Sequence, residues 1–205
     1  MAAPVVTALH SRGSRRERVA VELEGRPWRI LPLEAALAAG LDVGVELDRP
    51  RARRLAQELR RLKARSAALR ALRSRDHTTE SLRRRLEARG VAPRQLEQTV
   101  ETLTRAGLVD DRRFAMSRAA TLAARGAGDL KIRYDLESRG VSLDLVGDAV
   151  AALEPERERA QRLVAAHGAT PKVLRRLVAN GFAAANVEDL VADEPDAELR
   201  YEGFI

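Results

Sequence analysis

The run Leu82-Arg-Arg-Arg-Leu86-Glu-Ala-Arg-Gly90-Val91 recurs as Ile132-Arg-Tyr-Asp-Leu136-Glu-Ser-Arg-Gly140-Val141, and again as Val173-Leu-Arg-Arg-Leu177-Val-Ala-Asn-Gly181-Phe182. Apolar residues four apart make one stripe on a helix, and the glycine supplies the positive φ that ends it. The apolar residue after each glycine is placed to fold back onto the helix end. Leu96, Val100 and Leu103 follow the first run, and Val146, Val150 and Leu153 follow the second at the same offsets. Val187 and Val191 follow the third. The glycines stand 50 and 41 residues apart.

Each copy therefore reads as a helix, a glycine turn and a second helix. Thr78 or Thr79, Asp129, and Thr170 with Pro171 mark the starts of the first of these. Pro93 and Ser142 mark the second starts, as expected of helix N-termini. A longer amphipathic segment precedes each pair, over 51–75, 111–125 and 156–167. Three units of three helices give nine helices. No unit is large enough for a private core, so neighbours are expected to stack into an elongated, curved array.

Outward from the repeats, the amino-terminal fifth has a different period. Arg18 to Leu23 alternates apolar and charged residues; Glu24-Gly25-Arg26-Pro27 has turn chemistry, and Trp28 to Leu31 returns as a second strand. Leu33 to Ala39 is a short helix stopped by Gly40, and Val43 to Leu47 is a possible third strand. The expected fold class is mainly α: three tandem three-helix repeats preceded by a small β-hairpin module. The expected segments are a flexible arm over 1–15, the hairpin module over 16–49, and repeats over 50–106, 107–154 and 155–205. The last repeat carries an acidic tail.

Composition narrows the chemistry. The chain of 205 residues has no cysteine, which removes disulfides, thiol nucleophiles and cysteine-held metals. His10, His77 and His167 are too scattered for a histidine cage. No apolar run approaches the roughly 18 residues of a membrane span, and no signal sequence is visible. No nucleophile-elbow, zinc-protease or phosphate-loop motif occurs. Gly126-Ala-Gly128-Asp-Leu-Lys131 follows a helix rather than a strand and reads as a turn. His77 reads as a helix-junction residue, Asp110 or Asp111 as a helix cap, and Phe114 as a core anchor. The expectation is a cytoplasmic, monomeric protein that is not an enzyme and holds no cofactor or metal.

Charge carries the positive reading. Lys and Arg number 37 against 30 Asp and Glu, a net charge of +7. Residues 51–75 hold ten of the basic residues against the single acid Glu58, while 188–205 holds seven acids against Arg200. Arg60, Arg61, Lys63, Arg70 and Arg73 cannot all face one way, but their spacings give at least one continuous basic strip. Arg83, Arg84 and Arg85 extend it onto the next helix. Guanidinium forks suit phosphates and carboxylates alike. With 3% aromatics, base stacking is poorly supplied, so any DNA affinity should be salt-sensitive and sequence-tolerant. Arg112, Arg113, Arg125, Lys131 and Arg133 complete the candidate set; for Arg112 and Arg113 a local ion pair to Asp110, Asp111 or Glu101 is the alternative.

Gly107-Leu-Val-Asp-Asp-Arg-Arg-Phe-Ala115, with Arg89-Gly90-Val91, Arg125-Gly-Ala-Gly128 and Lys131-Ile132…Leu136, resembles the RecX family of recombinase regulators. The resemblance runs from about Arg65 to Val191, and the hairpin, the short helix and Gly40 to Leu47 are similar to an amino-terminal extension that many members of that family carry. Asn180 departs from the arginine that the first two copies carry before glycine. The resemblance implies tandem three-helix repeats that bind RecA filaments on DNA and also bind single- and double-stranded DNA directly. It also implies inhibition of ATPase and strand exchange in recombinational repair and the SOS response. The alternative is a sequence-specific DNA-binding regulator that uses the glycine-turn helices as helix-turn-helix readers.

Overall fold

The computed structural model describes residues 3–12 and 17–187. Three strands and nine named helices are present among them: β1 (Val6–Arg12), β2 (Arg18–Leu23), β3 (Arg26–Pro32), α1 (Leu33–Ala38), α2 (Arg49–Ser74), α3 (Thr79–Glu87), α4 (Pro93–Arg105), α5 (Asp111–Ala124), α6 (Asp129–Ser138), α7 (Leu143–Ala151), α8 (Glu156–His167) and α9 (Pro171–Ala179). A further helical turn covers 184–187. The acidic stretch 188–205 lies outside the described residues. The fold is mainly helical, with one small antiparallel sheet in the order β1-β2-β3. It divides into two compact units, 1–74 with 83–103, and 75–82 with 104–205.

In the first unit, β2 and β3 meet through Glu24 and Gly25, both with positive φ. That two-residue turn matches the right-handed strand twist. Val6, Val19, Val21 and Leu31 point into a core completed by Ala35, Ala36, Ala39 and Leu41, with Leu55 of α2. Two expectations are corrected. Residues 6–12 belong to no flexible arm: they form β1, paired with β2 from Val6↔Leu23 to Arg12↔Arg18. This is an edge strand in which Val6 alone is fully buried, so it carries no alternating apolar signal. Residues 43–47 add no strand. They run beside the start of β1 through one bridge, Val5↔Glu46, and bonds such as Val6 N–H to Val45 O at 2.9 Å.

The three repeat glycines end their helices in the same way. Gly90, Gly140 and Gly181 have φ of 69°, 79° and 87°. The following amides of Val91, Val141 and Phe182 reach back to the carbonyls of Leu86, Leu136 and Leu177 at 3.1, 3.2 and 3.1 Å. This is the capping bond that a left-handed glycine permits.

The second unit repeats its junctions as well as its helices. Thr78, just before α3, donates its hydroxyl to the Arg139 carbonyl at the end of α6 at 2.6 Å. Gly128, just before α6, donates its amide to the Asn180 carbonyl at the end of α9 at 2.9 Å. Each junction also receives a carboxylate from the first turn of the next long helix. Asp111 of α5 accepts from the Thr79 amide and hydroxyl at 2.7 and 2.6 Å. Glu156 of α8 accepts from the Asp129 amide at 2.6 Å. Its other oxygen accepts from the Ala183 amide at 3.1 Å and Asn186 Nδ2 at 2.7 Å. Free amides at a helix start favour such an anion.

Buried Arg159 pins the second of these junctions. It donates to the carbonyls of Ala127 and Glu154 at 2.8 and 3.0 Å, pairs with Asp129, and lies over the Phe182 ring. Phe114 is not the anchor expected of it: it is half-buried at the margin of a core built on Ala115, Ala119, Ile132, Leu136 and Val146.

Candidate nucleic-acid and partner surfaces

Helix α2 is longer than a simple amphipathic reading requires, and it buries two faces. Leu55 is buried, and Leu59 and Leu62 pack beside it against the sheet module. Farther along, the buried residues are Ala64, Ala67, Ala68 and Ala71 rather than Leu69 and Leu72. Leu55 and Ala71 are 16 residues apart, about 160° around the axis at 3.6 residues per turn. The segment expected to be simply amphipathic thus buries more than one apolar stripe: the alanines form a second buried seam. Arg89 reaches that seam, donating to the Ala67 carbonyl at 3.3 Å.

Between the seams the charged side chains divide. Arg60, Lys63, Arg70 and Arg73 are exposed, follow one another at three- and seven-residue steps, and make no ion pair among the described residues. Arg61 is also exposed but lies nine residues from Arg70, about half a turn away in angle. It is held by Glu58 at 2.8 Å and Glu34 at 3.0 Å. Arg83 is held in a fork by Glu97 at 3.2 Å. Arg84 is exposed and engaged, and Arg85 is exposed. Of the five candidates on α2, Arg60, Lys63, Arg70 and Arg73 thus share the exposed strip and Arg61 stands apart from it.

In the second unit the candidates are more dispersed. Arg112 pairs with Asp148 at 3.4 Å, and Arg113 pairs loosely with Asp110 at 3.9 Å and donates to the Gly107 carbonyl at 3.2 Å. Asp110 caps α5 by accepting from the Arg113 amide at 2.9 Å. Lys131 donates to Asn180 Oδ1 at 3.0 Å, while Arg125 and Arg133 are exposed. His77 is buried beside Ser81 at 3.0 Å, as a junction residue.

Two grooves, absent from the sequence reading, occupy corresponding places in the repeats. One, of about 500 Å³, is lined by Arg75, Asp110, Phe114, Arg118 and Arg139 among others. Its arginines have an internal counter-ion. Asp135 accepts from Arg118 at 2.9 Å on each oxygen and from Arg139 at 2.8 and 3.2 Å. These bonds, Arg118's foremost, hold its carboxyl far below the usual carboxylate range against the opposing pull of desolvation. They also raise Arg118. The second groove, of about 550 Å³, lies between the 124–126 turn, α8 and α9. The repeat register could have located it: Arg85, Asp135 and Arg176 are the same position in the three copies.

Residues 110–150 match the family model described as RecX, second three-helix domain. The regulatory protein RecX of Xanthomonas campestris pv. campestris (strain B100) is 40% identical over 87 residues, 42% of this chain and 54% of that protein. The regulatory protein RecX of Xanthomonas axonopodis pv. citri (strain 306) is 33% identical over 126 residues, 59% of this chain and 78% of that protein. The chain thus spans about half the length of some of these relatives and over three quarters of others. A crystal structure of a regulatory protein RecX superposes with a TM-score of 0.75 over 93% of this chain and all of that one, at 22% identity. RecX from Lactobacillus salivarius superposes with a TM-score of 0.57 over 65% of this chain and 96% of that one, at 18% identity. Both share the fold.

Proposed function

The chain belongs to the RecX family of regulatory proteins, and from that premise we propose that it regulates a RecA recombinase by binding its filament on DNA and lowering its ATPase and strand-exchange activities. The observation that carries this reading beyond family membership is the exposed strip Arg60, Lys63, Arg70 and Arg73 on α2, which has no internal carboxylate. Such a strip attracts phosphates or acidic side chains without reading sequence. A nucleoprotein filament offers both. Inhibition then needs occupancy alone: a protein seated along the filament opposes the subunit motions that accompany ATP turnover. The proposed setting is recombinational repair, in the cytoplasm, with the protein acting as a monomer.

The test is a titration of this protein into preformed RecA filaments on single-stranded DNA, read by ATP hydrolysis. Loss of hydrolysis at sub-stoichiometric protein is expected, and unchanged hydrolysis at equimolar protein overturns the proposal. A mobility shift without recombinase addresses the alternative of a sequence-reading regulator. Similar affinity for unrelated duplexes supports the filament reading, and strong preference for one duplex supports the alternative.

A further inference from the structure

We propose that the groove between the 124–126 turn, α8 and α9 is a binding site for a phosphate group, separate from the basic strip on α2. Arg125, His167, Lys172 and Arg176 line it with Leu163 and Thr170, and no acidic side chain is among its lining residues. None of those four basic side chains has an ion-pair partner among the described residues. Its volume, about 550 Å³, lies within the range of small-molecule sites.

The repeat supplies a comparison inside the same molecule. In the corresponding groove one copy earlier, Arg118 and Arg139 close on Asp135, so both guanidiniums are engaged by an internal carboxylate. Counting from Asp111 to Glu156 at the helix starts, Arg118 corresponds to Leu163; counting between the glycines, Asp135 corresponds to Arg176 and Arg139 to Asn180. Where the second repeat has Arg–Asp–Arg, the third has Leu–Arg–Asn. A cation stands at the position of the internal anion, and neutral groups stand at the positions of its two arginines. Arg125 keeps the place of Arg75 on the opposite wall. A groove with a guanidinium in place of the carboxylate, with His167 where the preceding copy has Leu122, and with Lys172 at the position of Lys131, is complementary to an anion from outside. Phosphate suits the mixture: it accepts from a guanidinium fork, an ammonium and an imidazole at once. The phosphate can come from a nucleic-acid backbone or from a free nucleotide.

The experiment is an amide-resolved NMR titration of the full chain with inorganic pyrophosphate. Shifts clustered at residues 124–126, 167 and 170–176 are expected. Shifts confined to Arg49–Ser74, or none, overturn the proposal. Arg176→Asp should weaken pyrophosphate binding about tenfold, the size of one charge-assisted hydrogen bond. Arg176→Gln should weaken it less, and unchanged affinity in both variants overturns the proposal. Arg176 is exposed, so neither variant should alter the melting temperature. Competition separates the sources. Displacement of pyrophosphate by a short oligodeoxynucleotide without terminal phosphates assigns the site to a nucleic-acid backbone, and displacement by a nucleoside triphosphate alone assigns it to a free nucleotide. Displacement by neither overturns the site.

Discussion

A Cβ atom built on Gly181 would stand 2.5 Å from the Lys131 amide nitrogen. The turn at the end of α9 thus presses directly on the first turn of α6, and Gly128 on the α6 side is equally confined, 2.2 Å from the Phe182 amide nitrogen by the same measure. Backbone cannot yield there as a side chain would. Gly181→Ala and Gly128→Ala should therefore each cost more than about 3 kcal/mol, a large share of a domain's stability. Gly90, with the same positive φ but open space around it, should cost only the left-handed penalty, about 1 kcal/mol, when changed to Ala. Urea melts of the three variants check the order; equal losses for Gly181→Ala and Gly90→Ala would show that the left-handed conformation alone makes Gly181 necessary, while Gly128, with a φ of −81°, loses stability through contact only.

Glu156 satisfies two helix starts with one side chain, so its loss leaves the half-buried amides of Asp129 and Ala183 and the Asn186 side chain without that partner. Glu156→Ala should lower stability by about 3 kcal/mol, or roughly 6–12 °C for a chain of this size. Asp111→Ala should follow the same pattern at the other junction. Asp110→Ala removes an ordinary cap and should cost about 1 kcal/mol. Thermal denaturation of the three single variants measures the difference.

The Asp135 clasp makes a prediction about acid. Its carboxyl is depressed in the folded chain, so its contribution is complete above the unfolded value near pH 4 and is lost as pH falls below it toward the folded value. Asp135→Asn should therefore be less stable than the parent at pH 7, with the gap narrowing steadily below about pH 4. Denaturant melts across that range test it; a gap independent of pH would remove the ionic explanation.

On α2, engagement separates the arginines. Replacing Arg70 and Arg73 by Gln should weaken DNA binding and reduce the steepness of its salt dependence by about 1–2 in the logarithmic slope. Arg61→Gln should leave that slope unchanged, because Glu34 and Glu58 already hold the side chain. Binding measured at several salt concentrations distinguishes the two.

The repeats were legible because each ends in a glycine whose φ no other residue adopts cheaply, followed by an apolar residue that must pack back. The hairpin turn was legible for the same reason. Strand β1 was not, because an edge strand with one buried residue has no periodic signal. Nor were the roles of Glu156 and Arg159: both are charged, and the sequence gives no sign that partners 27 to 32 residues away receive them. The α2 strip was visible as a density of charge, but Arg61's engagement depends on Glu34, which only the folded chain brings near. The second groove was hidden in an alignment of three residues, Arg85, Asp135 and Arg176, whose meaning appears once the Arg118–Asp135–Arg139 cluster is seen.

At both junctions of the second unit, the carboxylate that closes the helix start comes from the module that follows it in the chain. Asp111 serves α3, and Glu156 serves α6. Dependence therefore has a direction. Melting or excising the carboxyl-terminal module strips its predecessor of a cap, whereas an amino-terminal truncation leaves the later caps where they are. Under force or protease the second unit should come apart from its carboxyl end, like a zipper with its slider there.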